Sequence, residues 1–463
     1  MNDLEKAKLI YFIGIKGVAM AGLAVICQKL GKEVVGSDVA QNFITDEILA
    51  KNQIKIFENF SESNLDCQPD LIVLGASFGE ENPEVAEAEK RKIKIISDSE
   101  LRGLLSQKKK TIAVCGIHGK TTTTALLSYL FSQAGLAPSY LIGTGKVADL
   151  GGNADWATGD YFIVEGDEYS RSKIDQTPKF LDLTPAISVI TNIELEHVDI
   201  YPNLEAIENV FSQLVGKTKD LIVACGDWPS VKKISQKNPK KFVTYGFGSG
   251  NLWQAFDVRR EFDQTIFKVR KEGVDLEEFE IKLFGDHNVL NVLAAIIIGL
   301  KAGINLDQTK EILKRFSGAQ RRFEVLEKNG VIFIDDYGHH PSEIKTTLKA
   351  VRTRYPKNQI WCVFQPHMAS RTKAFLNEFA QSFSEVNLVI FADIFASARE
   401  KSLMITSKDL TEETKKYQTQ AIYGGSLEDI TDYLKNNLKP EMVLVTMGAG
   451  DVYKVRDRLV SFS

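Results

Sequence analysis

The run Gly116-Ile117-His118-Gly119-Lys120-Thr121-Thr122 has the residue types needed to hold a phosphate chain. It joins an apolar stretch that reads as a strand, 111–117, to one that reads as a helix, 120–134. Glycines let backbone N–H groups close on phosphate oxygens, and a helix N-terminus favours negative charge. In that setting Lys120 reaches the β- and γ-phosphates, and the Thr121 hydroxyl ligates Mg²⁺. Two residues separate the glycines, fewer than in the usual phosphate loop. A glycine turn that only caps a helix leaves the lysine unexplained, so phosphate binding is the preferred reading.

Other residues could work beside this loop. Glu165, Asp167 and Glu168 follow a second apolar stretch. Oxygen ligands at a strand end suit Mg²⁺; taken alone, they also read as a solvated acidic turn. The six histidines are His118, His197, His287, His339, His340 and His367. Each follows a strand-like run or sits beside Gly, Asn, Asp or Pro at an element end. In open α/β sheets, ligands bind outside the carboxyl ends of strands, which favours function over a merely packed ring for most of them. Arg321-Arg322 can clamp phosphates or carboxylates, or simply face solvent. Arg371, in Ser370-Arg371-Thr372, is a candidate fork for a substrate carboxylate. Near the amino terminus Gly14-Ile15-Lys16-Gly17 closes a strand and opens a helix, and Asp38 lies 24 residues beyond Gly14. A glycine turn with a distal acid is the dinucleotide fingerprint, but the third glycine is missing. NAD, another nucleotide and a purely structural turn all stay open, with a nucleotide other than NAD favoured.

These residues need elements to position them. Strand-like runs at 9–15, 33–38 and 71–77 alternate with helical ones such as 18–30. The pattern restarts at 111–117, 162–168 and 186–194, and again at 331–338, 359–367, 387–395 and 441–450. Strands alternating with helices predict parallel, doubly wound sheets. A chain of 463 residues is long enough for three domains. Residues 107–110 (Gln-Lys-Lys-Lys) read as the first linker or as a solvated helix end. With 44 % apolar and 25 % charged residues, the chain is of ordinary globular composition and can bury sizeable cores. A net charge of −4 argues against a protein held to nucleic acid by phosphate contacts. The five cysteines, Cys27, Cys67, Cys115, Cys225 and Cys362, are scattered, so they suggest neither a disulfide framework nor a zinc site. They read as buried thiols in a reducing cytoplasm. The amino-terminal residues do not read as a secretory signal. The longest apolar run, 293–300, is too short to cross a bilayer and reads as one face of a core helix.

Together these residues resemble the Mur ligases. The resemblance runs from the amino-terminal glycine loop through GIHGKTTTT (116–124), TNIELEH (191–197), GDHN (285–288) and RRFE (321–324). It continues through DDYGHHPSE (335–343), FQPH (364–367), SRT (370–372) and MGAGD (447–451), so it covers nearly the whole chain. It implies an α/β protein of three domains. A Rossmann-like domain at 1–108 would bind the UDP-linked substrate. A central P-loop ATPase domain with a mostly parallel sheet would span 109–322, and a second Rossmann-like domain at 323–463 would receive the amino acid. The implied activity is that of an ATP-dependent ligase that converts a carboxylate to an acyl phosphate and then to an amide. The branch resembled most joins L-alanine to UDP-N-acetylmuramate in peptidoglycan precursor synthesis; a neighbouring branch attaches a preformed tripeptide instead. ATP and Mg²⁺ are the implied cofactors. The expected setting is the cytoplasm, as a monomer or homodimer, with neither nucleic acid nor membrane as partner.

Carried over motif by motif, Lys120, Glu165 and His197 form the implied catalytic set, with Thr121, Glu165 and His197 as metal ligands. Gly116, His118, Gly119, Lys120, Thr121, Thr122, Asn288, Arg322 and Asp336 would contact ATP. Gly14, Gly17 and Asp38 would bind the UDP end, and Tyr337, His339 and Arg371 would line the amino-acid site. Some positions depart from the family pattern. Lys16 stands where the family has glycine, and either pairs with a diphosphate or points to solvent. Asn59-Phe60 replaces Gly-His, and Met368 replaces an arginine, each removing one expected substrate contact. The stretch 171–183 is longer than in the alanine branch and resembles the tripeptide branch, whereas FQPH, SRT and GAGD favour alanine.

Overall fold

The apolar runs form strands in the computed structural model, which describes residues 2–172, 175–395, 405–417 and 420–461. Leu9–Ile13 is the centre of a five-stranded parallel sheet. Glu33–Ser37 and Lys55–Phe57 lie to one side of it, Leu71–Leu74 and Lys94–Ser97 to the other. Ile10, Tyr11, Phe12 and Ile13 are fully buried, as expected of a strand covered on both faces. The strand order reverses beside Leu9–Ile13, so a crevice opens at its carboxyl end, next to Gly14.

The second sheet has ten strands. Lys110–Cys115 runs parallel to Tyr161–Glu165 on one side and Ile187–Ile190 on the other. The phosphate-loop run leaves Cys115 and enters the helix Lys120–Gln133. Residues 107–109 link this strand to the preceding helix, Asp98–Ser106. The far end of the sheet is antiparallel, built from Trp253–Arg260, Thr265–Lys271 and Val274–Ile281. These strands lie outside the strand–helix alternation expected from the sequence. Their signal is of period two: Thr265, Phe267 and Val269 point inwards from one strand. The helix Asp286–Lys301 packs against Lys120–Gln133 and is buried without a break from Asn291 to Gly299. The apolar run at 293–300 is thus enclosed all round through Gly299, not on one face as expected.

The third sheet has six strands, ordered Glu324–Lys328, Val331–Asp336, Val443–Met447, Ile360–Phe364, Leu388–Ala392 and Ala421–Gly425. Only the first pair is antiparallel. The fold is therefore the expected three-part α/β architecture. The five cysteines are free, and all but Cys67 are buried. Among the described residues no helix is long and apolar enough to cross a membrane.

Side chains tie the three sheets together. Lys146 pairs with Glu47 of the first unit at 2.7 Å. His118 of the phosphate loop pairs with Glu343 of the third at 2.9 Å.

Candidate active site

The phosphate loop is held open by its glycines. Gly116 has φ +131° and Gly119 φ +79°, which side chains strain to adopt. A methyl group on Gly116 would lie 2.0 Å from Thr191 Oγ1. The N–H groups of Ile117 and His118 donate to Asn192 Oδ1, both at 2.9 Å. Lys120 opens the helix and folds back over the loop, its Nζ donating to Gly116 O at 2.6 Å and Ile117 O at 3.0 Å. It also pairs with Glu168 at 2.9 Å. Burial works against its charge, but Glu168, Glu165 and Asp167 outweigh this and hold its pKa above the ordinary lysine value.

The strand-end acids face this loop. Thr121 Oγ1 donates to Glu165 Oε1 at 3.2 Å and accepts from Arg322 Nη2 at 3.0 Å. The other Glu165 oxygen accepts the Gly143 N–H at 2.9 Å. Glu168 is only 2 % exposed and meets His197 Nε2 at 3.0 Å. His197 itself sits at φ +53°, and its Nδ1 is buried without a hydrogen-bond partner. The Thr121 hydroxyl with the Glu165 carboxylate, and the His197 imidazole, thus line one cleft beside the phosphate loop, donor types that fit divalent cations. Asp167 is committed elsewhere. It pairs with Lys179 at 3.5 Å. Burial opposes its charge, but Lys179 and Arg102 hold its carboxyl well below the usual range.

The third sheet supplies the opposite wall. Asp336 accepts the N–H groups of Gly338 at 2.8 Å and Phe323 at 2.9 Å, and burial pushes its pKa up to about 6. The two neighbouring arginines differ in role. Arg322 reaches Thr121 and stacks 4.9 Å over the Tyr337 ring. Arg321 is buried and spent on Asp335 at 2.9 Å and on the carbonyls of Gly448 and Gly450 at 2.6 and 2.8 Å. Burial, with Arg371 nearby, pushes the His339 pKa down to about 3, so this ring is neutral. Arg371 is buried, and its Nε donates to Glu196 Oε1 at 2.8 Å. Its fork therefore already rests on a carboxylate of the central unit. Met368 sits at φ +69° beside it.

Lys120, Thr121, Glu165, His197, Arg322, Tyr337, His339 and Arg371 all line one cleft of about 500 Å³, which also takes in Val18, Ala19, Ile44 and Ser77 of the first unit. Thr122, Asn288 and Asp336 line a smaller recess of about 160 Å³ with Trp228 and Tyr245. His118, Gly119 and Arg322 border both spaces. Gly116 borders neither and shapes the turn beneath them.

The amino-terminal set stands apart from both spaces. Gly14 has φ +82°, and a methyl group there would lie 2.3 Å from the Phe78 ring. Gly17, at φ −60°, is the N-cap of the helix Val18–Lys29. Asp38 is buried, and its two oxygens accept the N–H groups of Lys16 and Val39, both at 2.8 Å. Burial raises its pKa. Lys16 does not point to solvent, one of the two expected alternatives. It is 3 % exposed and donates to Gln41 O at 2.9 Å and Val39 O at 3.2 Å, so it pins the strap 39–46. Phe60, in the Asn59-Phe60 departure, packs its ring 5.0 Å from Phe78. The stretch 171–183 lies partly outside the described residues. Where described, Arg171 pairs with Asp175 at 3.1 Å and also with Asp182.

Four further residues at the site were not singled out from the sequence: Asn192, Glu194, Glu196 and Glu343. Three lie in the TNIELEH motif, whose histidine drew attention away from its other polar groups. Glu343 was legible as the acid of a capping box, three residues after His340.

The chain is similar to known proteins over its whole length. Residues 9–110 match the model described as "Mur ligase family, catalytic domain", 114–299 "Mur ligase middle domain" and 321–450 "Mur ligase, glutamate ligase domain". A UDP-N-acetylmuramate–L-alanine ligase of Desulfitobacterium hafniense is 37 % identical, covering 97 % of this chain and 99 % of its own. One of the same name from Acetivibrio thermocellus is 39 % identical, covering 98 % and 96 %. The crystal structure of the UDP-N-acetylmuramate–alanine ligase MurC of Thermotoga maritima superposes with a TM-score of 0.83 at 25 % identity, covering 98 % of each chain.

Proposed function

The chain belongs to the Mur ligase family, and we propose that it joins L-alanine to the carboxylate of UDP-N-acetylmuramate at the expense of ATP. The observation that carries this reading is the single cleft of about 500 Å³ in which the phosphate loop, Glu165 and Arg371 come together. A carboxylate is a poor acyl donor. Transfer of the γ-phosphoryl group gives an acyl phosphate and ADP. The amine then attacks the acyl carbon, phosphate leaves, and an amide remains.

Each step asks something of particular residues. Lys120 and Arg322 bring two positive charges to the point where phosphate oxygens crowd a carboxylate, a preorganised arrangement that lowers the barrier. The amides of the loop and the helix N-terminus at Lys120 add partial positive charge. Thr121 and Glu165, in hydrogen-bond contact, would hold one Mg²⁺, and His197, with its unpartnered Nδ1, a second. Bound there, Mg²⁺ supplies charge neutralisation on the phosphates. Asn288, Asp336 and Thr122, in the smaller recess, would hold the nucleoside end of ATP. The turn of Gly14 and Gly17 would receive the UDP group with Asp38, whose carboxylate also holds the Lys16 N–H of that turn.

The acceptor would enter beside Tyr337, His339 and Arg371. Arg371 would take its carboxylate by displacing Glu196. A neutral His339 does not repel the incoming ammonium. We assign residues 1–108 to the UDP-substrate domain, 109–322 to the ATPase domain and 323–463 to the acceptor domain, working in the cytoplasm.

The test is phosphate release with UDP-N-acetylmuramate and Mg-ATP, comparing L-alanine with the tripeptide of the recycling branch. Turnover that is higher with L-alanine supports the assignment. Turnover with the tripeptide alone would move the protein to the neighbouring branch, and none with either would reject it.

A further inference from the structure

At the phosphate loop lies a second group of ligating side chains, of which only His118 is shared with the expected ATP contacts. His118 and Glu194 come from the central unit, and His340 caps the helix Pro341–Arg354 of the third. Their nearest ligand atoms all lie within 4.8 Å of one another. His118 Nε2 is bonded to Glu194 Oε1, and His340 Nδ1 lies 3.6 Å from that same oxygen.

The surroundings are those of a metal centre. A metal-bound imidazole usually turns its other nitrogen to a carboxylate, which fixes the ring. His118 does this, its Nδ1 meeting Glu343 Oε1 at 2.9 Å, while His340 Nε2 faces Glu196 Oε2 at 3.8 Å, beyond hydrogen-bond length. The second Glu194 oxygen is held by Ser342 Oγ at 3.2 Å. His340 is 5 % exposed, and its Nε2 has no hydrogen-bond partner. Its Nδ1 accepts only a long N–H contact from Ser342, at 3.3 Å.

We propose that His118, Glu194 and His340 form a site for a Zn²⁺-class divalent ion, separate from the Mg²⁺ set, that clasps the third unit onto the phosphate loop. Two imidazoles and one carboxylate suit Zn²⁺ or Co²⁺, whereas Mg²⁺ prefers oxygen. Uptake is balanced by proton release. The Nε2 proton of the His118 imidazolium leaves to solvent, its lone pair goes to the ion, and the Nδ1–H stays on Glu343. Ligands from two units mean that the ion binds only when those units are together. It therefore favours the closed arrangement by mass action.

Co²⁺ titration of the whole protein in millimolar Mg²⁺, followed by visible absorption, tests this without ATP or acceptor. Its outcome is thus independent of the ligase assignment. The wild type and His197→Ala are expected to take up one equivalent with the d–d bands of imidazole-ligated Co²⁺. His340→Ala and the more conservative Glu194→Gln are expected to weaken uptake at least tenfold, with circular dichroism unchanged in Glu194→Gln. The absence of such bands in the wild type would overturn the proposal. So would bands that persist in both His340→Ala and Glu194→Gln, or bands lost in His197→Ala alone.

Discussion

At the scale of single residues, two cations of the site each rest on a carboxylate. Lys120 rests on Glu168 and Arg371 on Glu196, at 2.9 and 2.8 Å. Lys120→Ala is expected to lower kcat on the order of 10²-fold or more, because the transferring phosphoryl group loses its nearest charge. Binding of UDP-N-acetylmuramate, measured by calorimetry, should be unchanged; near-wild-type turnover would remove Lys120 from the chemistry. Arg371→Lys keeps the charge but loses the planar fork. The acceptor KM should rise about tenfold while the KM for ATP stays put, and an unmoved acceptor KM would leave Arg371 a merely structural partner of Glu196. Motif reading found Lys120, Thr121 and His197, because these types at these spacings have few other uses. It also picked out their acidic partners, Glu165 and Glu168, but missed Glu196, which neutralises Arg371, and Asn192, which holds the loop amides. Glu196 and Asn192 become informative only when folding brings residues far apart in sequence into contact.

At the scale of elements, the helix Asp286–Lys301 shows what burial does to a titrating group. His287, in its first turn, has its pKa pushed down to about 4 by burial, from an ordinary 6.5. A lowered histidine pKa means that the fold prefers the neutral ring. The resulting stability is complete above pH 6.5 and is lost as pH falls through about 4. Asp336 has the opposite sign: raised to about 6 from 3.8, it loses its contribution as pH rises through about 6. Urea unfolding midpoints between about pH 7 and about pH 4.5 should therefore fall less steeply in His287→Leu than in the wild type, by on the order of 2 kcal/mol at the acid end. Parallel slopes would show that the ring titrates freely. Strands such as Leu9–Ile13 and Lys110–Cys115 were legible as unbroken apolar runs, since parallel strands bury both faces. The antiparallel ladder at Trp253–Ile281 was not, because alternating residues with one open face blend into the surrounding polar sequence.

At the scale of the whole molecule, the first and second units share one apolar core, whereas charged contacts at the phosphate loop join the second to the third. Burial opposes a charge on either partner of the His118–Glu343 pair. His118 is nonetheless held at about 10, and Glu343 well below the carboxylate range. Glu343→Lys sets a cation against His118 and Arg322 and should part the third unit from the second. Small-angle scattering is expected to show a larger radius of gyration at unchanged helix content, together with a higher KM for ATP. An unaltered scattering curve would mean that the apolar contacts alone hold the units together.

The pinned strap has a consequence for covalent labelling. Acylating reagents need an unprotonated, reachable amine, and Lys16 is 3 % exposed with its ammonium turned into the carbonyls of the strap. Ile44 of that strap borders the cleft. A lysine footprint by mass spectrometry should therefore leave Lys16 unmodified while Lys29 and Lys90 react, and Lys16 should become labelled only when the strap lifts. The rate at which it is labelled would read how often the strap lifts, and saturation with UDP-N-acetylmuramate, which we propose binds at this unit, should slow it further.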